Sequence, residues 1–420
     1  MFNQELELLM PAGSLEKLKY AFNYGADAVY AGVPLFSLRA RENEFNLEDL
    51  KEGIHFARER NKKVYFTANI FARNLKLKPF THQIKEFAEL QPDALIMSDP
   101  GLISIVKEQH PELQIHLSVQ ANCMNWQSVK FWQKQGVSRV ILSRELRLDE
   151  IKEIKDRVPD IELEAFVHGS ICIAYSGRCL LSHYMSHRDA NQGVCDNSCR
   201  YGYNIHKAET EKEEHYYLED LRNKGEFYPI DEDENGTYIM NSKDLCLIEH
   251  LKEMAEAGVC SFKVEGRTKS VYYVAMVSKI YRQALNDLKA GRPFNAELYK
   301  ELDKVASRGY HKGFLMGNPT HEAQNYSHST PRQYSQKFAA LLTTQPDSSV
   351  VAEVRNKMQL GDAVEVISPK TVVETSILGL QTLEGEPLKE AHGGAGIYKI
   401  DLGVPVENHS LLSIKSGRPL

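Results

Sequence analysis

The chain has 420 residues, of which 42% are hydrophobic and 26% charged, with a formal net charge of −6. These values describe an ordinary soluble globular protein with room for one large domain and a smaller one. No apolar run approaches the roughly eighteen residues a membrane span needs, and the acidic balance argues against indiscriminate nucleic-acid binding.

The chain begins MFNQELELLMPAG. It opens acidic and lacks the basic and apolar regions of a signal peptide, so the cytoplasm is the expected compartment. Thiols there stay reduced, and a cysteine cluster is more often metal-binding or redox-active than cross-linked.

Apolar strand-like runs occupy residues 6–13, 26–33, 63–71, 94–99, 115–122, 139–145, 161–169 and 259–266. Between the early ones lie SLEKLKYAFNYG, NLEDLKEGIHFARER and NWQSVKFWQKQG. Their apolar positions recur every three or four residues, with Ser14, Asn46 and Asn125 placed as N-caps. Alternation of strand and helix implies parallel βαβ units, and eight repeats predict a TIM-type (β/α)8 barrel over residues 1–335.

Most of the strand runs end in polar groups: Asn69, Asp99, Gln120 with Asn122, Arg144 with Glu145, His168, and Glu265 with Arg267. Barrel enzymes assemble their sites at those ends. The basic run RNLKLK, residues 73–78, is a candidate RNA contact, although such runs are more often solvated faces. An acidic insert within 204–245 reads as a hairpin or lid. From residue 336 to 420 short alternating strands replace the βα rhythm and predict a small all-β, barrel-like domain. It contains no cysteine, and a docking role is expected of it.

After the seventh strand come Cys172, Cys179, Cys195 and Cys199, four of the seven cysteines in the chain. Zinc sites usually present closer pairs. Iron–sulfur clusters accept irregular spacing because each thiolate binds a different iron. An iron–sulfur cluster is the leading expectation; zinc, or unligated buried or catalytic cysteines, are the alternatives. Cys260 is expected in the core, and Cys123 at a strand end is free to face the pocket.

The run EAFVHGSICIAYSGRCLLS resembles the signature of peptidase family U32, the collagenase-like proteins. The opening ELLMPAGSLEKLKYAFNYGADAVYAGVPLFSLRA and the segments YIMNSKDLC and FKVEGRTKS are similar to that family too. The family's name implies proteolysis, but H-E-x-x-H and G-x-S-x-G are both missing. A Cys172–His168 nucleophile remains as the peptidase alternative.

Better-studied members imply oxygen-independent hydroxylation of RNA. For this chain the resemblance implies conversion of the tRNA wobble uridine to 5-hydroxyuridine, with prephenate as oxygen source and a 4Fe–4S cluster on Cys172, Cys179, Cys195 and Cys199. A zinc-stapled RNA-binding protein is a further alternative. His168, Glu265 and Arg144 are the candidate catalytic groups. Arg39, Arg41, Asn69, Gln120, Asn122, Asn241, Lys243 and Arg267 are candidates for binding substrate, the arginines because a guanidinium fork suits a dicarboxylate.

Overall fold

Strands β1 (Glu7–Ala12), β2 (Ala28–Gly32), β3 (Lys63–Ala68), β4 (Ala94–Met97), β5 (Ile115–Leu117), β6 (Arg139–Ile141) and β7 (Glu162–Ser170) follow one another in parallel register. The computed structural model describes residues 5–38, 44–172, 174–201, 203–207, 216–220, 225, 227–230, 242–317, 335–394 and 396–415. Six helices connect these strands: α1 (Leu15–Asn23), α2 (Leu47–Arg58), α3 (Asn74–Glu89), α4 (Pro100–Gln109), α5 (Trp126–Lys134) and α6 (Leu148–Arg157). The expected caps form: Ser14, Asn46 and Asn125 accept hydrogen bonds from the backbone N–H of Lys17, Asp49 and Ser128, satisfying donors that the first helical turn leaves open.

The chain beyond β7 is more elaborate. It passes through the short helix α7 (Leu181–Ser186) and an antiparallel sheet of β8 (Tyr203–Lys207), β9 (Tyr216–Asp220) and β10 (Phe227–Ile230). Next, β11 (Asp244–Cys246) runs antiparallel along the end of β7, pairing Asp244 with Ser170 and Cys246 with His168. Helix α8 (Leu251–Glu256) then leads into β12 (Val259–Val264), which pairs in parallel with both β7 and β1. That double pairing closes eight parallel strands into a TIM-type barrel, as the alternating pattern predicts. The long helix α9 (Val271–Lys289) seals the closure from outside.

Residues from Gln336 onward form a separate antiparallel sheet of seven strands in the order Val372–Ser376, Ala363–Ile367, Ser410–Lys415, Gln336–Thr344, Val350–Val354, Ile397–Asp401, Gly379–Gln381. Its inward side chains, among them Leu342, Ala352, Val364, Val366 and Leu412, pack into their own core. It sits against α1 and α9. Tyr24 Oη donates to the carbonyls of Ile367 and His409 at 2.7 and 2.8 Å, and Tyr272 stacks on Phe338. Lys304 pairs with Glu365 at 2.9 Å. This sheet therefore lies on the barrel's flank, and the ends of the barrel strands remain open to other segments.

Candidate functional site at the barrel mouth

At the C-terminal ends of the strands lies a cavity of about 110 Å³. Its walls come from many strands: Tyr30 from β2, Thr67 and Asn69 at β3, Gln120 after β5, Arg144 after β6, Phe166 and Ser170 from β7, and Lys263, Glu265 and Arg267 at β12. Cys172 and Arg200, from the cysteine segment, complete it.

Hydrogen bonds fix most of these groups in place. Asn69 accepts from Leu38 N at 3.1 Å and donates to Ser118 Oγ at 3.3 Å. The Arg144 guanidinium donates to Ser170 O at 2.8 Å, lies 3.5 Å from Glu265 and stacks 4.0 Å over the Phe166 ring. Its Nε is buried without a hydrogen-bond partner among the described residues, a donor left over in the wall of the site. Arg267, only 7% exposed, donates to Ser37 Oγ and Leu38 O, both at 2.6 Å.

The cysteine segment crosses over this mouth. Gly177 makes one support possible: at φ +73° it rests on the fifth strand's end, where an added Cβ would meet Gln120 O at 2.1 Å, so a side chain has no room. Further along, Phe71 N donates to Asn191 O at 3.4 Å, and Arg73 pairs with Asp189 at 3.1 Å. Inside the segment, Asn191 Nδ2 holds Cys179 O at 3.2 Å, and Ser182 Oγ receives Asp196 N at 3.0 Å. Arg200 donates to Ile171 O at 3.3 Å, which joins the segment's two ends.

None of the four cysteines is in a disulfide, and Cys172 and Cys195 are exposed. Burial pushes the Cys199 thiol up to about 11; Arg200 opposes the rise, while Cys172, Cys195 and Cys179 lie near enough to add to it. The other three thiols thus lie close enough to Cys199 to act on it, and Cys172 also lines the cavity. Among the described residues, no three His, Cys, Asp or Glu side chains are placed to share a single metal ion.

The other sequence candidates scatter. His168, proposed as catalytic, is turned away from the cavity. The β7–β12 register shifts between Lys263, opposite Phe166, and Val264, opposite His168. The extra residue breaks the inward alternation of β7 and sends the imidazole toward α9. There it contacts Tyr273, Tyr281 and Tyr310, with Nδ1 3.2 Å from Tyr281 Oη. Burial lowers its pKa from 6.5 to about 4, so it is a neutral core residue. Asn122 accepts from Ser143 Oγ at 3.0 Å outside the cavity wall. Lys243 is half-buried and also does not line the cavity. Arg39, Arg41 and Asn241 lie outside the described residues. Cys123 is 1% exposed and core-like rather than pocket-facing.

Three basic residues of this region are not among the sequence candidates. Arg200 follows the last cysteine directly and lines the cavity. Lys263, 3% exposed, pairs with Glu164 at 2.8 Å rather than with Glu265; its place two residues before Glu265 is the signal, because alternate strand residues share a face. Arg308, 4% exposed, pairs with Asp244 and donates to Ser170 Oγ at 3.0 Å. It anchors the start of the cysteine segment to β11, and nothing local in the sequence marks it.

The chain matches Peptidase family U32 over residues 13–325 and the Peptidase family U32 C-terminal domain over 334–413. It belongs to peptidase family U32. A "tRNA hydroxylation protein P" of Escherichia coli (strain K12) is 45% identical, covering 97% of this chain and 96% of that one. The protein of the same name from Haemophilus influenzae is 43% identical, covering 97% and 95%. A solved U32 peptidase structure overlaps 63% of this chain and 94% of its own, at 14% identity and a TM-score of 0.40. Among the described residues no helix is long and apolar enough to cross a membrane.

Proposed function

We propose that this U32 member is an RNA-modifying enzyme that converts the wobble uridine of tRNA to 5-hydroxyuridine without molecular oxygen. Its cofactor would be a 4Fe–4S cluster on Cys172, Cys179, Cys195 and Cys199, and prephenate would supply the oxygen. The names of its relatives favour tRNA hydroxylation. One structural observation carries the reading most: Cys172 belongs to the wall of the cavity where Arg144, Gln120, Glu265 and Arg267 converge.

The donor set suits the cluster. Four thiols outside any disulfide, none of them grouped on a single metal point among the described residues, suit a cubane, in which each thiolate meets a separate iron, better than a zinc ion that draws its four donors together. When bound, the cluster would supply electron transfer beside the cavity. The protein's own part is positioning. Arg144 and Arg267 are rigidly held and suit the carboxylates of a small dicarboxylate, while Gln120 and Asn69 offer amide groups to a pyrimidine. Glu265, held beside Arg144, is the candidate for moving a proton. Nothing favours the peptidase alternative, since His168 is enclosed by tyrosines rather than set against Cys172.

Mass spectrometry of tRNA nucleosides from a strain lacking the protein tests this. Loss of 5-hydroxyuridine, restored by the intact chain and not by Cys195→Ser, is expected. Unchanged 5-hydroxyuridine in the deletion strain would overturn it.

A further inference from the structure

The chain as a whole is acidic, yet one side of the mouth is not. Two stretches contribute that side of the rim: the start of α3 with the residues before it, and the cysteine segment, with Leu35 beside them through the Lys76 contact to its carbonyl. They are joined by Phe71 with Asn191 and by Arg73 with Asp189. Residues 71–80 and 172–201 together hold six Lys/Arg against two Asp/Glu. One of those acids, Asp189, is engaged by Arg73, and the other, Asp196, is buried and holds Ser198 N. Arg73, Lys78, Arg178 and Arg188 are all exposed.

Apolar groups stand among these cations. Leu75 is 90% exposed, Leu180 67%, and Tyr175 and Leu35 each 55%. They are among the most exposed large apolar side chains of the described residues, and all four come from segments at the strand ends. Cations interleaved with exposed apolar faces are what a single-stranded nucleic acid needs, phosphates against the charges and unstacked bases against the flat or apolar surfaces. A protein partner would also cover apolar groups, but the net positive charge selects a polyanion.

We propose that this rim is where the RNA docks, its single-stranded loop lying across residues 71–80 and 172–201 so that one base enters the cavity behind Cys172. This rests on the function proposed above and moves the docking role away from the C-terminal sheet. That sheet is attached to the barrel's flank through Tyr24 and Lys304.

The test is binding of an unmodified tRNA transcript to the intact, anaerobically purified protein, followed by anisotropy over a range of salt. The triple variant Lys78→Glu, Arg178→Glu, Arg188→Glu should weaken binding at least tenfold. It should flatten the dependence of log K on log salt by about 2, as expected for three lost phosphate contacts. Its iron content should match the parent's, which shows that the segment still folds. The double variant Lys370→Glu, Lys389→Glu on the C-terminal sheet should bind as the parent does. Undiminished binding by the rim variant, or loss confined to the sheet variant, would overturn the inference while leaving the function standing. Failure of the parent itself to bind the transcript would sink both.

Discussion

Deep in the barrel, Glu7, Arg139, Glu164 and Lys263 form a closed ionic network. Arg139 bridges Glu7 at 2.6 Å and Glu164 at 3.3 Å, Lys263 meets Glu164 at 2.8 Å, and Ser261 and Tyr65 bind Glu7 at 2.8 and 2.6 Å. Burial favours a neutral Glu7, but the charge and hydrogen bonds of Arg139, with Tyr65 and Ser261, hold its carboxyl below the usual range. At the mouth the charges are arranged otherwise. Arg267 spends its donors on a hydroxyl and a carbonyl, Arg144 keeps a buried donor without a partner, and Arg200 has no carboxylate within 4 Å among the described residues. The deep charges thus meet one another, while those at the mouth are held mainly by neutral groups, with Arg144 and Glu265 in contact at 3.5 Å. The first layer holds the barrel together and the second is equipped to meet a ligand.

Breaking each layer separately should therefore give opposite phenotypes. The largest effect is expected at the thiols: Cys195→Ser should eliminate 5-hydroxyuridine from tRNA, measured by nucleoside mass spectrometry, while urea unfolding shows a folded protein. Next comes Arg200→Met, for which we expect turnover to fall roughly 100-fold, as for the loss of one donor to a reacting anion. Stability should stay within about 1 kcal/mol, because the side chain is at the surface of the site. The deep layer should behave in reverse. Glu164→Ala leaves Lys263 and Arg139 short of an anion and should cost about 3–5 kcal/mol of unfolding free energy, with cysteine ligation intact in the molecules that fold. Equal stability losses for Arg200→Met and Glu164→Ala would erase the distinction.

His168 supplies the smallest effect and sharpens the boundary between the layers. Its folded pKa of about 4 lies below its ordinary 6.5, so the unfolded chain binds the proton more readily. The stability it contributes is full above pH 6.5 and is lost as pH falls toward 4. Between pH 7 and pH 5 that loss should be about 2 kcal/mol. His168→Gln should remove this part of the acid sensitivity, read from urea unfolding at the two pH values, and should leave turnover within twofold. A large loss of turnover would return the imidazole to the catalytic set.

The barrel was legible because its strands are buried on both sides and read as continuous apolar runs, with capped amphipathic helices between them. The C-terminal sheet was legible for the opposite reason, its short alternating strands. The cysteines stood out by density, and Asn69, Gln120, Arg144, Glu265 and Arg267 by their position at strand ends. His168 shared that position and was misplaced by a one-residue register shift, which no periodicity reveals. Arg308 and the Glu7–Arg139–Glu164–Lys263 network depend on pairings between strands far apart in sequence. A charged residue inside a buried strand signals only that some partner exists.

The most direct test of the mouth as a cluster-bearing site is iron and acid-labile sulfide per chain in anaerobically purified protein, compared across single Cys→Ser variants. The parent should carry about four of each. Cys172→Ser, Cys179→Ser, Cys195→Ser and Cys199→Ser should each lose most of both, while Cys260→Ser keeps them. A parent with stoichiometric zinc and no sulfide, or iron that survives all four substitutions, would contradict the account.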